Sequence, residues 1–427
     1  MDIKTVNYPN LNETLYIYEH SSGLKAFVIP KKGYSKKFAS FATHYGSINN
    51  RFVVPGESEI TDVPDGIAHF LEHKLFEQKD GSVMDKFSLL GANPNAYTSF
   101  NQTVYLFSCT HLFEDNFKLL LNYVQNPYIT EESVEKEKGI IGQEINMYRD
   151  DPGWRVFFNL LGAFYENNPV KVDIAGTVES ISKINRDTLY KCYNTFYHPS
   201  NMVILAVGDV DPQKTFEEVE RSIESKQVKP EIERLFPDEP ASVGQNYVEQ
   251  SLAVSIPLFQ MGFKDNNFNS RGQDALMREI TIKMLLEMIV GRSSGLYDSL
   301  YSEGLINSSF DVDYTIEESY AFSMFGGEST DPQKVRDRIA GEIDSYKKNG
   351  LSRDNFNRIR KAMKGRFIKQ LNSVERISHL FIPTYFKGSQ MFDYFEVYDK
   401  ITFEYISDLF LKHFNFENMA LSVIKPV

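Results

Sequence analysis

The chain has 427 residues, of which 42% are hydrophobic and 24% charged, a composition typical of a globular protein with two domains of about 200 residues each. Its net charge of −12 argues against nucleic acid or an anionic membrane as a partner. No apolar run approaches the roughly 20 residues of a membrane-spanning helix, and the polar stretch 1–19 is unlike a signal peptide. The two cysteines, Cys109 and Cys192, do not suggest a disulfide framework, so we expect a cytoplasmic protein.

The first predicted elements are two β-strands between Lys25 and Ile48. Apolar residues cluster in the stretches 27–29 and 38–45. The lysine-rich segment between them contains Gly33 and is typical of a solvated turn. This pattern predicts two antiparallel strands joined as a hairpin.

An H-x-x-E-H segment follows, formed by His69, Glu72 and His73. Capping and acidic residues between Thr61 and Asp65, with no helix breaker after them, predict that this segment is helical. On a helix the two histidines stand one turn apart, so their rings can converge on one cation, and Glu72 can face water beside it. The order of the residues is that of the inverted zincin pattern.

Two imidazoles alone make a weak zinc site, because a catalytic zinc takes three protein ligands and leaves one position open. A third ligand must therefore come from another part of the chain. The alternative is that His69 and His73 are core or surface histidines of an amphipathic helix. The partners of the pair decide between these interpretations.

A turn rich in glycine, proline and asparagine follows at 91–95, and the alternation from Ala96 to Cys109 predicts a strand. If this strand lies at a sheet edge, its unpaired backbone groups can hold an extended peptide by strand addition. An ordinary interior strand is equally consistent with the sequence.

The stretch from Thr130 to Tyr148 predicts a helix that carries Glu137 and Glu144 two turns apart on one face. A carboxylate among isoleucines is costly to bury unless it is paired or binds a metal. Taken alone, these glutamates are those of a solvated helix face. Beside the histidine pair, they become candidates for the missing ligand.

The second half contains a weak repeat of the first. The stretches 196–209 and 414–425 share an aromatic residue, a polar turn, Asn-Met and an apolar run. The charged, proline-containing stretch 223–245 is a plausible linker between domains at 1–222 and 246–427. No H-x-x-E-H recurs, so the second domain is expected to carry no metal.

Three landmarks, at 66–73, 95–99 and 197–202, occur together with Glu144 in an order that resembles the pitrilysin (M16) family of zinc peptidases. The resemblance covers nearly the whole chain. Within a family that includes the mitochondrial processing peptidases, the sequence is similar to the metal-bearing chain of bacterial two-subunit members.

The resemblance implies one Zn²⁺ per chain and a role for each matching residue. These are zinc ligands His69, His73 and Glu144, general base Glu72, the supporting catalytic acid Glu137, and a substrate-binding strand of Asn95, Ala96, Tyr97 and Thr98. It also implies an α+β fold of two similar α/β domains, each a mixed antiparallel sheet with helices packed on one face. A linker joins the domains as a clamshell, whose chamber admits short or unfolded peptides.

One departure concerns the second half. Family members that act alone carry an Arg and a Tyr where this chain has Tyr301 and Asn307. Neither residue supplies a guanidinium for developing negative charge. We therefore expect a heterodimer with a homologous chain that provides the pair, or alternatively a homodimer. A non-catalytic structural or assembly subunit, and a metal-dependent hydrolase of a non-peptide substrate, are the rival interpretations.

Overall fold

A computed structural model describes residues 1–224, 227–228, 231–268 and 270–427. The chain forms two compact units, each assembled from three segments. The first contains Met1–Ile145, Asp173–Leu235 and Gln370–Phe386, and the second contains Asn146–Val172, Phe236–Lys369 and Lys387–Val427. Two segments are thus exchanged relative to domains that simply follow the chain. Four residues of the predicted linker 223–245 lie outside the described residues.

The strands of the described chain are numbered in order. They are β1 (Ile3–Tyr8), β2 (Glu13–Glu19), β3 (Lys25–Pro30), β4 (Lys37–Thr43), β5 (Arg51–Val53), β6 (Ile60–Asp62), β7 (Glu77–Gln78), β8 (Gly81–Ser82), β9 (Asn93–Thr98), β10 (Thr103–Cys109), β11 (Met202–Gly208), β12 (Glu233–Arg234), β13 (Tyr247–Leu252), β14 (Leu258–Lys264), β15 (Asp311–Ile316), β16 (Ala321–Glu328) and β17 (Met419–Pro426).

The α-helices are numbered in the same way. They are α1 (Ile67–Leu75), α2 (Val83–Leu89), α3 (Phe113–Gln125), α4 (Glu131–Asp150), α5 (Pro152–Phe164), α6 (Val178–Ile181), α7 (Arg186–Phe196), α8 (Pro212–Ser222), α9 (Gly272–Ile289), α10 (Gly295–Ser302), α11 (Pro332–Asn349), α12 (Arg353–Gln370), α13 (Val374–Phe386), α14 (Asp393–Lys400) and α15 (Phe403–His413). None of them is long and apolar enough to cross a membrane, within the residues described.

The main sheet of the first unit has the order β1-β2-β3-β11-β4-β10-β9. Only β3 and β11 pair in parallel, and the other neighbours are antiparallel. The predicted hairpin of β3 and β4 is therefore wrong, because β11 lies between them. The two strands run in opposite directions but bond to the same third strand.

Both faces of this sheet are covered. One face carries the main core, which includes Val28 and Phe41. On the other, Phe27 packs against Phe381 of α13, with ring centroids 4.9 Å apart. The prediction of helices on one face is incomplete, because α13 covers the other face. This helix comes from the second half of the sequence. A signal was present: β11 is a continuous apolar run that is buried throughout, as expected for a strand covered on both sides.

The sheet of the second unit has the order β13-β17-β14-β16-β15. This order repeats β3-β11-β4-β10-β9 strand for strand. In each set of five, the strand that comes last in the chain pairs in parallel with the one that comes first, β11 with β3 and β17 with β13. The weak repeat in the sequence is confirmed, because the Met of each Asn-Met pair begins the closing strand of its sheet, β11 or β17, directly after a 3₁₀ turn that ends at the Asn. Here too both faces are covered: Phe322 contacts α5, whereas its neighbour Ser323 bonds to His413 of α15.

The mixed α+β class is as predicted, with two related sheets. The clamshell arrangement of the two units stays a prediction.

Candidate active site

The helix of the H-x-x-E-H segment, α1, begins without a side-chain cap. Gly66 occupies the N-cap with φ of 88°, and Thr61 lies in a strand instead of the predicted cap. A Cβ at Gly66 would lie 2.4 Å from the carbonyl oxygen of Ala175. The start of α1 is thus packed so closely that only glycine fits, in a backbone conformation that glycine adopts freely. Asp65 accepts a hydrogen bond from Asn50 instead of capping the helix.

Three predicted ligands meet beside α1. The Nε2 atoms of His69 and His73 each lie 3.6 Å from a different carboxylate oxygen of Glu144 on α4. Such separations are too long for hydrogen bonds. They are close to the roughly 3.3 Å that separates two ligands of a tetrahedral zinc with bonds of about 2.0–2.1 Å. Among the described residues, no other group of three such side chains meets in this way.

The donor set also fits a zinc ion chemically. Two imidazoles and one carboxylate are a recurrent catalytic zinc set. Burial, with the neighbouring His73, lowers the pKa of His69 to about 3, so its ring is neutral and can offer a lone pair. Because His69 is neutral, its contact with Glu144 is not an ion pair. The approach of His69 to Glu144 is therefore better explained by a shared metal ion than by a salt bridge.

Glu137 lies behind the ligands on the buried side of α4. One of its oxygens is 3.0 Å from Nδ1 of His73 and the other is 3.9 Å from Nζ of Lys74. Burial alone would lower the pKa of His73, but the hydrogen bond to Glu137 and the nearby carboxylates raise it above its ordinary value. A carboxylate in this position fixes the tautomer and orientation of a metal-binding imidazole.

Glu72 is buried and is not one of the three residues of the ligand cluster. Its Oε2 accepts a hydrogen bond of 2.6 Å from the hydroxyl of Thr98, the last residue of β9. Burial raises the pKa of Glu72, and the hydrogen bond from Thr98 offsets part of that rise. A carboxyl group with a raised pKa is suited to exchange protons near neutral pH.

The single strand predicted from Ala96 to Cys109 is in fact two antiparallel strands: β9, which begins earlier at Asn93 and lies at the edge of the sheet, and β10, which lies inside it between β4 and β9. Strand β9 pairs on one side with β10, where Asn95 lies opposite Leu106 and Ala96 opposite Tyr105. Its other side has no strand among the described residues. Tyr97 accepts a hydrogen bond from Gln102 at its hydroxyl. The predicted substrate-binding residues thus lie on one edge strand, whose last residue, Thr98, donates a hydrogen bond to Glu72.

The two positions at which the chain is expected to lack an Arg/Tyr pair, Tyr301 and Asn307, lie in the second unit. Tyr301, near the end of α10, is about half exposed at 52%, and its ring stacks on Tyr297. Asn307 donates a hydrogen bond of 2.5 Å to Glu328. Neither contact adds a cation.

Comparison with known proteins agrees with the geometry. The protein-family model described as Insulinase (Peptidase family M16) matches residues 56–178, which contain all three predicted ligands. A second family model, Peptidase M16 inactive domain, matches residues 183–363. The uncharacterized zinc protease YmfH of Bacillus subtilis is 43% identical over 99% of both chains. The chain belongs to the M16 family of zinc proteases.

Solved structures of similar proteins show that the chain also shares the fold of this family. The crystal structure of an M16-like peptidase from Alicyclobacillus acidocaldarius is 32% identical, with a TM-score of 0.93, and the match covers 100% of this chain and 99% of that one. A protease from Helicobacter pylori, 19% identical, shares the fold with a TM-score of 0.77 over 96% and 99% of the two chains.

Two contacts of this site were not anticipated from the sequence of the M16 chain. The first is the hydrogen bond between Thr98 and Glu72, since Thr98 is predicted only as part of the substrate strand. The second is the burial of Lys74 beside Glu137. No spacing in the sequence points to either contact, although a lysine inside an apolar helix face is itself an unusual feature.

Proposed function

We propose that this M16 zinc protease is an endopeptidase that cleaves short or unfolded peptides held as an added strand along β9. The observation that carries the proposal is the hydrogen bond from Thr98 to Glu72. It links the edge strand directly to the carboxylate beside the ligand cluster. A peptide paired with β9 would therefore pass the reactive groups.

In this proposal His69, His73 and Glu144 hold one zinc ion, and Glu137 orients His73. When bound, zinc supplies Lewis acidity, which polarises a carbonyl group and lowers the pKa of water. Glu144 brings one negative charge to the cation, and the two imidazoles, which must be neutral to bind it, add none. The chain thereby leaves part of the positive charge available to the substrate.

Glu72 acts as the general base. Its buried carboxylate takes a proton from the attacking water and returns it to the departing amine, a shuttle that a raised pKa favours. Thr98 holds the Oε2 atom by its hydroxyl, so that Oε1 is the oxygen available for proton transfer. The same strand thus positions the peptide and the base.

Binding through β9 makes a prediction about substrates. Strand addition uses backbone groups, so extended peptides should bind with modest side-chain selectivity. Folded proteins offer few free backbone groups and should be poor substrates. The negative net charge of the chain does not locate a charged surface, so no preference for basic residues is inferred from it.

The proposal is tested by mass spectrometry of a pool of short peptides incubated with the zinc-loaded chain, with Glu72→Gln as the blank. We expect slow internal cleavage in the wild type, because the lone chain lacks the Arg/Tyr pair, none in the blank, and stoichiometric zinc in both. Glu144→Gln should instead lose zinc affinity. If Glu72→Gln loses zinc while Glu144→Gln retains it, the assigned roles are wrong.

We further propose that the active form is a heterodimer in which a homologous chain supplies an Arg/Tyr pair. Support comes from Tyr301 and Asn307, which offer no guanidinium at the matching positions. Stoichiometric zinc with only slow peptide cleavage by the lone chain would agree with this proposal. Efficient cleavage by the lone chain would remove the need for a partner.

Two other outcomes would favour the rival functions. A chain that binds no zinc would favour a structural or assembly subunit, and hydrolysis restricted to non-peptide esters or amides would favour a metal-dependent hydrolase of a non-peptide substrate.

A further inference from the structure

Lys74 follows the second histidine on α1, and its side chain is completely buried. Its ammonium group bonds to the carboxylate of Glu77 and lies 3.3 Å from the carbonyl oxygen of Ser133. Lysine is almost never fully buried unless it is paired, because removing its charge from water is costly. An apolar side chain of similar length would fill the same space without that cost.

The second carboxylate near the ammonium group belongs to Glu137. Its Oε2 lies 3.9 Å from Nζ of Lys74, while its Oε1 is 3.0 Å from Nδ1 of His73. The Glu137 carboxylate therefore lies between a fixed cation and a predicted zinc ligand. Lys74 contributes this cation from the same helix that carries the ligand.

The other contacts of Lys74 do not account for its burial. The side chain of Glu77 is 41% exposed, so water can solvate it without Lys74. The carbonyl of Ser133 is a neutral acceptor that a buried amide could serve equally well. Glu137, by contrast, has a side chain that is only 12% exposed, and a buried carboxylate needs a nearby cation or several donors.

We propose that Lys74 is a positioning residue of the metal centre: it attracts Oε2 of Glu137 and so keeps Oε1 directed at His73 Nδ1. This holds the His73 ring with Nε2 facing the other two ligands. The inference rests on the proposed function only in taking His73 as a zinc ligand. Lys74 itself touches neither the ligand cluster nor the proposed substrate strand in any contact of the described residues.

The consequence is a difference in zinc affinity. Loss of an outer partner of a zinc ligand weakens binding by roughly 10- to 100-fold. Lys74 acts one residue further away, so we expect its replacement by methionine to weaken zinc binding about tenfold. Methionine preserves the length and apolar packing of the lysine stem.

The experiment measures the zinc dissociation constant of the full chain by competition with a chromogenic chelator. Lys74→Met should weaken binding about tenfold in the wild type and should have no further effect in a Glu137→Gln background. Glu77→Gln is the matched control, because it removes the other carboxylate partner of Lys74; its zinc affinity should stay within about twofold of the wild type. Near-ultraviolet circular dichroism of the zinc-free forms checks that each variant is folded.

Several results would overturn the inference. These are an unchanged affinity in Lys74→Met, an equal loss in Glu77→Gln, or additive losses in the double variant. If Lys74→Met does not fold, Lys74→Gln retains a hydrogen-bond donor without the charge and is subject to the same criteria. A wild-type chain that binds no zinc refutes both this inference and the proposed function, whereas tight binding with an unaffected Lys74→Met refutes this inference alone.

Discussion

Three residues within five positions of α1 have different surroundings. His69 and His73 direct their Nε2 atoms toward Glu144, whereas Glu72 bonds to Thr98 of β9. This separation suits the proposed roles, because a carboxylate that binds a metal is a weaker base toward water than one that does not. The strand β9 maintains it by occupying one oxygen of Glu72.

Replacement of Thr98 tests this arrangement. Thr98→Val keeps the shape of the side chain and removes the hydroxyl donor, so Glu72 loses the hydrogen bond from that hydroxyl. A hydrogen bond to a charged group contributes about 1.5 kcal/mol or more, which corresponds to at least about a tenfold loss in the rate of peptide cleavage. Zinc content should be unchanged.

Thr98→Ser is the matched control, since it retains the hydroxyl and should keep most of the activity. The readouts are initial cleavage rates at saturating peptide and zinc content by elemental analysis. Equal rates in the valine and serine variants would show that the hydroxyl does not position Glu72.

The sequence identifies much of this site at the level of residues. The spacing of H-x-x-E-H places His69, Glu72 and His73 on one helix, and the resemblance to a family adds Glu144. The contacts of Thr98 and Lys74 depend on strand register and on how α1 packs against α4. Such long-range contacts leave no periodic pattern in a single sequence.

At the scale of elements, the start of α1 depends on close backbone packing. Gly66 has φ of 88°, and a Cβ there would lie 2.4 Å from the Ala175 carbonyl oxygen. Gly66→Ala should therefore introduce both backbone strain and a steric clash, lowering the free energy of unfolding by about 3 kcal/mol or more. Thermal and urea unfolding measure the loss.

Gly33→Ala separates the two causes. Gly33 has a similar φ of 82°, but a Cβ there meets no atom within 4 Å. Its replacement should cost only the strain, about 1 kcal/mol. If both variants lose the same stability, the close approach of Ala175 does not determine how α1 begins.

A buried charge cluster on α9 predicts acid sensitivity. Glu279 forms ion pairs with Lys283 and Lys387. Burial raises its pKa, but the two lysines outweigh this and lower it from 4.5 to about 2. Because the folded pKa lies below the unfolded one, the stabilisation is complete above about pH 4.5 and is lost as the pH falls toward 2. The shift corresponds to about 3 kcal/mol.

Glu279→Gln should therefore lower the urea midpoint at pH 7 and flatten its dependence on pH between 4.5 and 2. Glu404→Gln is the control, since this carboxylate pairs with Arg353 at the surface, where both side chains are largely exposed. It should leave the pH dependence of the midpoint nearly unchanged. An acid transition in Glu279→Gln as steep as that of the wild type would contradict the role of Glu279.

At the scale of the whole chain, the repeat of strand order is anticipated by a short similarity in sequence. A turn that ends in Asn, followed by a Met that begins β11 or β17, marks the closing strand of each sheet. The exchange of segments is not anticipated: 146–172 joins the second unit and 370–386 the first. The predicted boundaries at 222 and 245 rest on composition along the chain. The exchange of α5 and α13 depends instead on which sheet each helix contacts, and composition does not show this. Hydrophobic patterning shows that α5 and α13 need an apolar partner without showing which one.

The whole active form is proposed to include a partner chain that supplies an Arg/Tyr pair, and two substitutions in the lone chain test this. Tyr301→Arg with Asn307→Tyr introduces a guanidinium and a phenol at the two matching positions. Loss of one such donor lowers rates by roughly 10²- to 10³-fold, so imperfect restoration should still raise peptide cleavage by the lone chain about tenfold. Both groups are needed to stabilise the developing charge, and the single variants should therefore stay at the wild-type level. Asn307→Tyr alone also controls for loss of the hydrogen bond to Glu328. Addition of Glu72→Gln must abolish any gain. A wild-type chain that cleaves peptides efficiently, and as fast as the double variant, would show that the metal-bearing chain is complete without a partner.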